Sequence, residues 1–429
     1  MSRKKAYPLY RIMSFPGLFL FQKPLMKKKE PQNHSQTCLI KNWFVVTYHE
    51  IAHCSELWAE TMTPKERWVA VFKGEKPDRI PMDYWATAET TAILMKHFGC
   101  GSEQELHERL HIDKPITVQP AYNGPFLGRD FEGGAVDPVT GLAIYQKTKT
   151  DLFGNRYREA DYGAGIYLEC VDHALSRFGT IDELEKNFTW PSADWWDYSV
   201  IPSQTEGFDE LPVRGGGSEP LLVYKYLRGD ERAVIDLIEN PELVHYCLDK
   251  LFEYSYQNTL RIFEQIPNRV TITYVAEDLG SQEDLLYSPP MIREFLLPRM
   301  KRMVDLAHQA GVYVVHHDDG AIRKIIPDLI GIEIDALNPI QWRCRGMDRE
   351  GLKDDFGHAL VFHGGVDNQY TLPFGSVDEV CTEVIDNLRI LGKGGGYILS
   401  PCHNMQPITP VENIVALYET GYEYGASFL

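Results

Sequence analysis

Residues 290–338 read PMIREFLLPRMKRMVDLAHQA, then GVYVVHH, then DDGAIRKIIPDLIG, then IEIDALN. The first piece, Pro290–Ala310, carries its apolar side chains at helical spacing. Val312–His317 (VYVVHH) is short, β-branched and aromatic, and ends on two histidines. A second helical piece follows, and Ile332–Leu337 (IEIDAL) repeats the strand pattern. Helix, strand, helix, strand in one direction predicts βαβ units and a parallel sheet. Strands that are apolar throughout are expected to be buried on both faces.

The same alternation extends both ways. Arg79–Tyr84 (RIPMDY), Val213–Gly217 (VRGGG), Val270–Glu277 (VTITYVAE), Ala359–Gly364 (ALVFHG) and Gly396–Ser400 (GYILS) read as further strands, with Val377–Leu391 as an intervening helix. Many of these strands end in polar residues: Asp83, Glu277 and Asp278, His316 to Asp319, Asn338, His363 and Asp367. In a (β/α)8 TIM barrel such ends converge on one mouth. A doubly wound open sheet would gather its ligand at one switch point, and the chain has neither a GxGxxG after its first strand nor a P-loop. The α/β barrel is therefore the predicted fold. Residues 124–196, rich in Gly, Tyr and Trp, read as an excursion from it, with Tyr122, Tyr145 and Tyr162 as candidate lid residues.

The 429 residues are 44% hydrophobic and 12% aromatic, enough for a large core, and carry a net charge of −18. That charge argues against nucleic acid or an anionic membrane as partner. No apolar run is long enough to span a bilayer. Eight cysteines without a CxxC pair suggest a reducing compartment. The apolar run Phe15–Phe21 follows a basic start, but Lys27, Lys28 and Lys29 succeed it with no small-residue cleavage site, so a cytoplasmic protein is expected. Residues 1–61 hold nine Lys or Arg against four Asp or Glu, which leaves −23 to the remainder. They are expected to form a disordered extension, and residues 62–429 the barrel domain. Thr63-Pro64-Lys65-Glu66 carries a capping box and a first-turn proline, so a helix should begin there.

KPDRIPMDYW (76–85), AEDLGSQEDLLYSPP (276–290), VHHDDGAIRKIIPDLIGIEIDALNPIQ (315–341), FHGGVDNQYTLPFGSVDEV (362–380) and GGGYILSPCHNMQPITPVENIVALYE (394–419) together resemble the uroporphyrinogen decarboxylase superfamily. The resemblance implies the same barrel and two possible chemistries. The porphyrinogen decarboxylases work without a cofactor and carry an arginine-rich signature, roughly R-Q-A-G-R, after the first strand. Here Ala86-Thr87-Ala88-Glu89-Thr90 stands in that place, which weighs the reading toward the second branch. That branch comprises metal-dependent, corrinoid-linked methyltransferases acting on a small methylated substrate or a methyl-corrinoid, with a corrinoid protein as the implied partner. Decarboxylation of a tetrapyrrole or another carboxylated substrate is the alternative.

The methyltransferase pattern His-x-Cys-Gly, with a distant Cys, maps onto His317-Asp318-Asp319-Gly320 and onto His403, with Cys402 as the alternative ligand. Two histidines and a carboxylate suit a catalytic zinc with one open position, and also ferrous iron. Residues two apart on a strand share a face, so His317 and Asp319 can act together. Glu277 and Asp278 are the candidate catalytic carboxyls. Alternation lets only one of them face the mouth, and the other is expected on a helix start or loop amide. His316 is expected to be packed. Asp83, His363, Asp367, Asn368 and Gln406 are candidates for orienting polar substrate groups.

A chain beginning at Met62 should unfold at the same temperature as the full-length protein and bind the same amount of metal. A loss of several kcal/mol, on the scale of a whole domain's stability, would make residues 1–61 integral to the fold.

Overall fold

The computed structural model describes residues 61–143, 149–161 and 166–429; residues 1–60, Tyr145 and Tyr162 lie outside that range. The first helix, Pro64–Phe72, starts on the reciprocal cap its sequence carries. Glu66 N donates to Thr63 Oγ1 at 3.2 Å, and Thr63 N donates to Glu66 Oε2 at 2.8 Å.

Seven strands form one parallel sheet: β1 (Ile116–Thr117), β2 (Val213–Ser218), β3 (Ile272–Val275), β4 (Tyr313–His317), β5 (Ala336–Asn338), β6 (Val361–Val366) and β7 (Tyr397–Pro401). Their spatial order is their sequence order. A doubly wound sheet reverses direction at its switch point; this one never does, so it curls.

Residues 80–84 supply the eighth position. Leu399 N donates to Pro81 O at 2.9 Å, and Asp83 N donates to Leu399 O at 2.8 Å, which sets this segment parallel to β7. On its other side Asp113 N donates to Met82 O at 2.7 Å, and Met82 N returns a bond to Asp113 Oδ2 at 2.9 Å. The ring of eight is thereby closed. The two-residue β1 is too short to carry a periodic signal, and the sequence pattern missed it.

Asp113 does more than close a ladder. It is fully buried and also accepts from Arg67 Nη1 at 2.9 Å and from Arg79 Nη1 and Nη2 at 2.7 and 2.9 Å. Trp68, from the first helix, fills the space beneath the strands. It is fully buried with Val71, Ile272, Tyr274, Val315, Ala336, Val361 and Ile398, and its Nε1 donates to Asp113 O at 2.9 Å. A barrel interior of this kind is a packed core and not a pore.

The glycine run 215–217 serves packing. Gly216 has φ +69°, and a Cβ there would lie 2.5 Å from Thr259 on the helix Pro241–Gln265. The helix expected over 290–310 is broken at Leu296 into Pro289–Phe295 and Leu297–Gln309, because Pro298 has no N–H to continue the ladder. The excursion after β1 contains an antiparallel hairpin, Arg156–Asp161 with Ile166–Asp172, and a two-residue pair, Ala121–Tyr122 with Trp196–Asp197. Tyr122 is spent there: its hydroxyl donates to Pro125 O, and its ring packs edge-on against Trp196. Among the described residues no helix is long and apolar enough to cross a membrane.

Asp113→Ala should cost about 3–5 kcal/mol, the loss expected when a buried charge is stripped of its partner, because two buried guanidiniums and the Met82 amide lose their acceptor together. Denaturant unfolding measures it; a loss under about 1 kcal/mol, the scale of a surface ion pair, would mean closure rests elsewhere.

Candidate metal centre

The end of β4 and the turn after β7 bring together His317, Asp319 and His403. One ligand atom from each lies within 4.8 Å of the others. Asp319 is buried, and the two histidines are half-buried, so the cluster faces the mouth.

Each member is prepared for a cation. Burial pushes His403 down to about 4, helped by the neighbouring His317, so its ring is neutral and offers a lone pair. Asp319 Oδ1 accepts from Gln341 Nε2 at 2.8 Å, which leaves Oδ2 for the cluster; burial holds this carboxyl above the usual range, partly offset by His317. Gln341 is itself fixed by accepting from Gly320 N at 2.9 Å.

His317 is held by a relay that reaches across three strands. Its Nδ1 lies 2.7 Å from Asn338 Oδ1, and Asn338 Nδ2 lies 3.1 Å from His363 Nδ1. His363 Nε2 stands 3.1 Å from Asp83 Oδ2, at an angle outside hydrogen-bond geometry but within electrostatic reach. Donor and acceptor rules fix the protons along this line. The amide oxygen accepts, so His317 Nδ1 carries hydrogen and Nε2 keeps its lone pair for the cluster. The amide nitrogen donates, so the hydrogen of His363 sits on Nε2, facing Asp83. Trp85 completes the support: Nε1 donates to Asp83 Oδ2 at 2.8 Å, and the indole stacks on His317 with centroids 5.5 Å apart at 19°. Burial raises Asp83, but His363, the Tyr84 amide and Trp85 outweigh it and hold the carboxyl below its ordinary range.

Asp83 and His363, expected to orient polar substrate groups, are both buried in the line of contacts that ends on His317. Asp367 is likewise occupied, accepting from Arg343 Nε, Gln369 N, Tyr370 N and Thr371 N. Asn368 lines a small cleft beside it with Gln282, Trp342 and Cys402. Gln406 bonds weakly back to Asn404 O. His316 is buried against Val275 O, and burial takes it to about 4. Cys402 is buried with Sγ directed at Ile340 O, 3.3 Å away, and burial lifts its thiol far above the ordinary value; it is not a member of the cluster.

The two adjacent acids separate as strand alternation requires. Glu277 accepts from Leu221 N at 2.8 Å and Leu222 N at 3.0 Å, at the start of the helix Pro220–Arg228. It is fully buried, and burial outweighs those donors to leave its carboxyl at about 8. These contacts tie that helix start to the end of β3. Asp278 is half-buried at the mouth. Burial and then Asp319 push its carboxyl up, while His317, Lys225 and His403 pull it down. Glu219, directly after β2, was not anticipated; burial and then Asp278 hold its carboxyl well above the usual range. Such an arrangement can hold a divalent cation beside a carboxyl whose hold on its proton is strengthened by burial.

The uroporphyrinogen decarboxylase (URO-D) family model matches residues 203–424, half of the chain. Among curated proteins, the methylcobamide:CoM methyltransferase MtaA of Methanosarcina barkeri is 24% identical over 219 residues, 51% of this chain and 60% of that protein. The uroporphyrinogen decarboxylase of Coxiella burnetii (strain RSA 493 / Nine Mile phase I) is 27% identical over 198 residues, 43% of this chain and 48% of that one. The chain thus spans about half the length of the curated relatives it matches, 60% in the first case and 48% in the second. Among solved structures, a methyltransferase from Methanosarcina mazei superposes with a TM-score of 0.58 at 21% identity, covering 85% of this chain and 99% of that one. At that identity the likeness establishes the fold alone.

Asn338→Ala should weaken zinc binding about 10–100-fold, the usual effect of removing a partner of a ligating histidine, with the fold retained. Competition against a chromophoric chelator reads the affinity, and an unchanged value would show that the relay does not orient His317.

Proposed function

The chain belongs to the uroporphyrinogen decarboxylase family, and from that premise we propose that it is a metal-dependent methyltransferase. It moves a methyl group from a small methylated compound, or from a methyl-corrinoid carried by a partner protein, to an acceptor. The observation that carries this reading is the convergence of His317, Asp319 and His403, with ligand atoms within 4.8 Å of one another. Two imidazoles and a carboxylate are a donor set that zinc accepts, leaving a position open. A divalent ion held there supplies Lewis acidity to a substrate heteroatom.

The chain's own residues do the rest. Asn338, His363 and Asp83 fix the tautomer and direction of His317. Gln341 fixes Asp319. Asp278, raised by burial and by Asp319, gives or takes the proton that methyl transfer moves at the acceptor or leaving atom. His317 and Asn338 end their strands, and Asp278 and Asp319 follow theirs closely, at the end of the barrel where such enzymes gather their chemistry.

The second reading is a cofactor-free decarboxylase of a tetrapyrrole or another carboxylated substrate, favoured by the 27% identity to the Coxiella enzyme. It has less support in the chain itself, where Ala86-Thr87-Ala88-Glu89-Thr90 stands in place of the arginine-rich signature of that branch.

Zinc titrated calorimetrically into metal-free protein should bind once. His317→Ala, Asp319→Ala and His403→Ala should each weaken binding by orders of magnitude, since an incomplete ligand shell must be filled by water. Cys402→Ser should bind like the wild type. Asp278→Asn should keep zinc and lose about 10²–10⁴-fold in methylcobalamin demethylation, the usual contribution of a proton-transfer group. Equal zinc affinity in the wild type and the three ligand variants would remove the methyltransferase reading.

A further inference from the structure

Arg214 lies on β2 within an otherwise apolar strand, and its register partners tell where it points. It sits beside Ile272 of β3 and Thr117 of β1, and register partners on a parallel sheet share a face. Ile272 belongs to the cluster packed inside the barrel, so Arg214 points inward too. Thr117, on the same face, is exposed. Arg214 itself is half-buried.

The guanidinium carbon of Arg214 lies 4.0 Å from the centroid of the Tyr274 ring. Tyr274 in turn packs against Trp85 with centroids 6.0 Å apart, and Trp85 stacks on His317. An aromatic wall thus runs from Arg214 to the metal cluster. Among the described residues, no carboxylate forms an ion pair with Arg214 and no acceptor takes a hydrogen bond from its side chain. The other inward or buried arginines are all paired: Arg67 and Arg79 with Asp113, Arg228 with Asp236, Arg299 with Asp249. A guanidinium facing the interior without an ion pair is unfavourable, and the ring face and the electrostatic reach of Glu219 offset that only in part. The five N–H donors of Arg214 are left without a hydrogen-bond acceptor among the described residues, in the fork geometry that matches a planar oxyanion.

We infer that Arg214 binds the acidic group of a small carboxylate-bearing ligand that lies along Tyr274 and Trp85 with its other end toward His317, Asp319 and His403. This deepens the methyltransferase reading and rests on it for what happens at the far end; the anion site itself stands on Arg214 alone. One charged fork offers a place for a single acidic group at one end of the ligand.

The test uses the full-length chain stripped of metal, with benzoate and neutral benzamide as probes followed by ligand-observed NMR. Benzoate should bind about tenfold or more tightly than benzamide, the scale of a charge-assisted hydrogen bond. Arg214→Gln should erase that preference, and His317→Ala should leave it intact. No preference in the wild type, or a preference that survives in Arg214→Gln, overturns the inference. Should Arg214→Gln fail to fold, the Nε–H resonance that is missing from the Arg214→Lys spectrum reports directly. It should shift with benzoate and not with benzamide, and an unmoved resonance overturns the inference. Because the probes are used without metal, failure here leaves the zinc titration untouched, and failure of zinc binding leaves the benzoate preference standing.

Discussion

Asp113 is the junction on which the barrel and its mouth both depend. A curled sheet must join its first strand to its second, and here the second is only two residues long. One buried carboxylate does what a longer ladder would do: it accepts from Arg67, from both terminal nitrogens of Arg79 and from Met82 N. Removing two guanidiniums and a carboxylate from water is favourable only when the charges are paired and hydrogen-bonded, and here both guanidiniums meet Asp113. The consequence reaches the chemistry. Fixing Met82 fixes Asp83 and Trp85, one and three residues on, and these form the back wall of His317.

The mouth is built on a second constraint, the repulsion among its own acids. Glu219, Glu277, Asp278, Asp318 and Asp319 are all pushed up by burial, and most of them are also raised by one another. In a medium of low dielectric, such a group either keeps protons or takes a cation. Two of the five are diverted to structure: Glu277 holds the helix start at Leu221, and Asp318 accepts from Leu279 N at 2.8 Å. The remaining carboxyls are left for chemistry. Neutral His403 and the relay-oriented His317 convert this acidic pocket into a site with direction.

Much of the architecture is periodic and therefore local. The cap at Thr63, the strand VYVVHH and the helix Val377–Leu391 each depend on neighbours a few residues away, and their side-chain spacing carries them. The strand order follows almost as directly, because βαβ units have one favoured hand and consecutive strands become neighbours. The failures have local causes too: a two-residue strand has no period, and Pro298 broke a helix whose apolar spacing ran straight through it.

The sequence by itself determined the polar strand ends, the adjacency of His317 and Asp319, and the rule that Glu277 and Asp278 must face opposite ways, since each follows from residue type and alternation along a single strand. Only the tertiary structure decided which acid faces the mouth, that Asp83 and His363 stand behind a ligand, and that Arg214 is left without a partner. Those outcomes depend on what a side chain meets across the barrel, from residues dozens to hundreds of positions away, and no pattern along one strand encodes that meeting. Arg214 is the plainest case. Its charge within the apolar run VRGGG was visible, but a charge in a strand means nothing until its neighbours are known, and here the neighbour is a tyrosine face rather than a carboxylate.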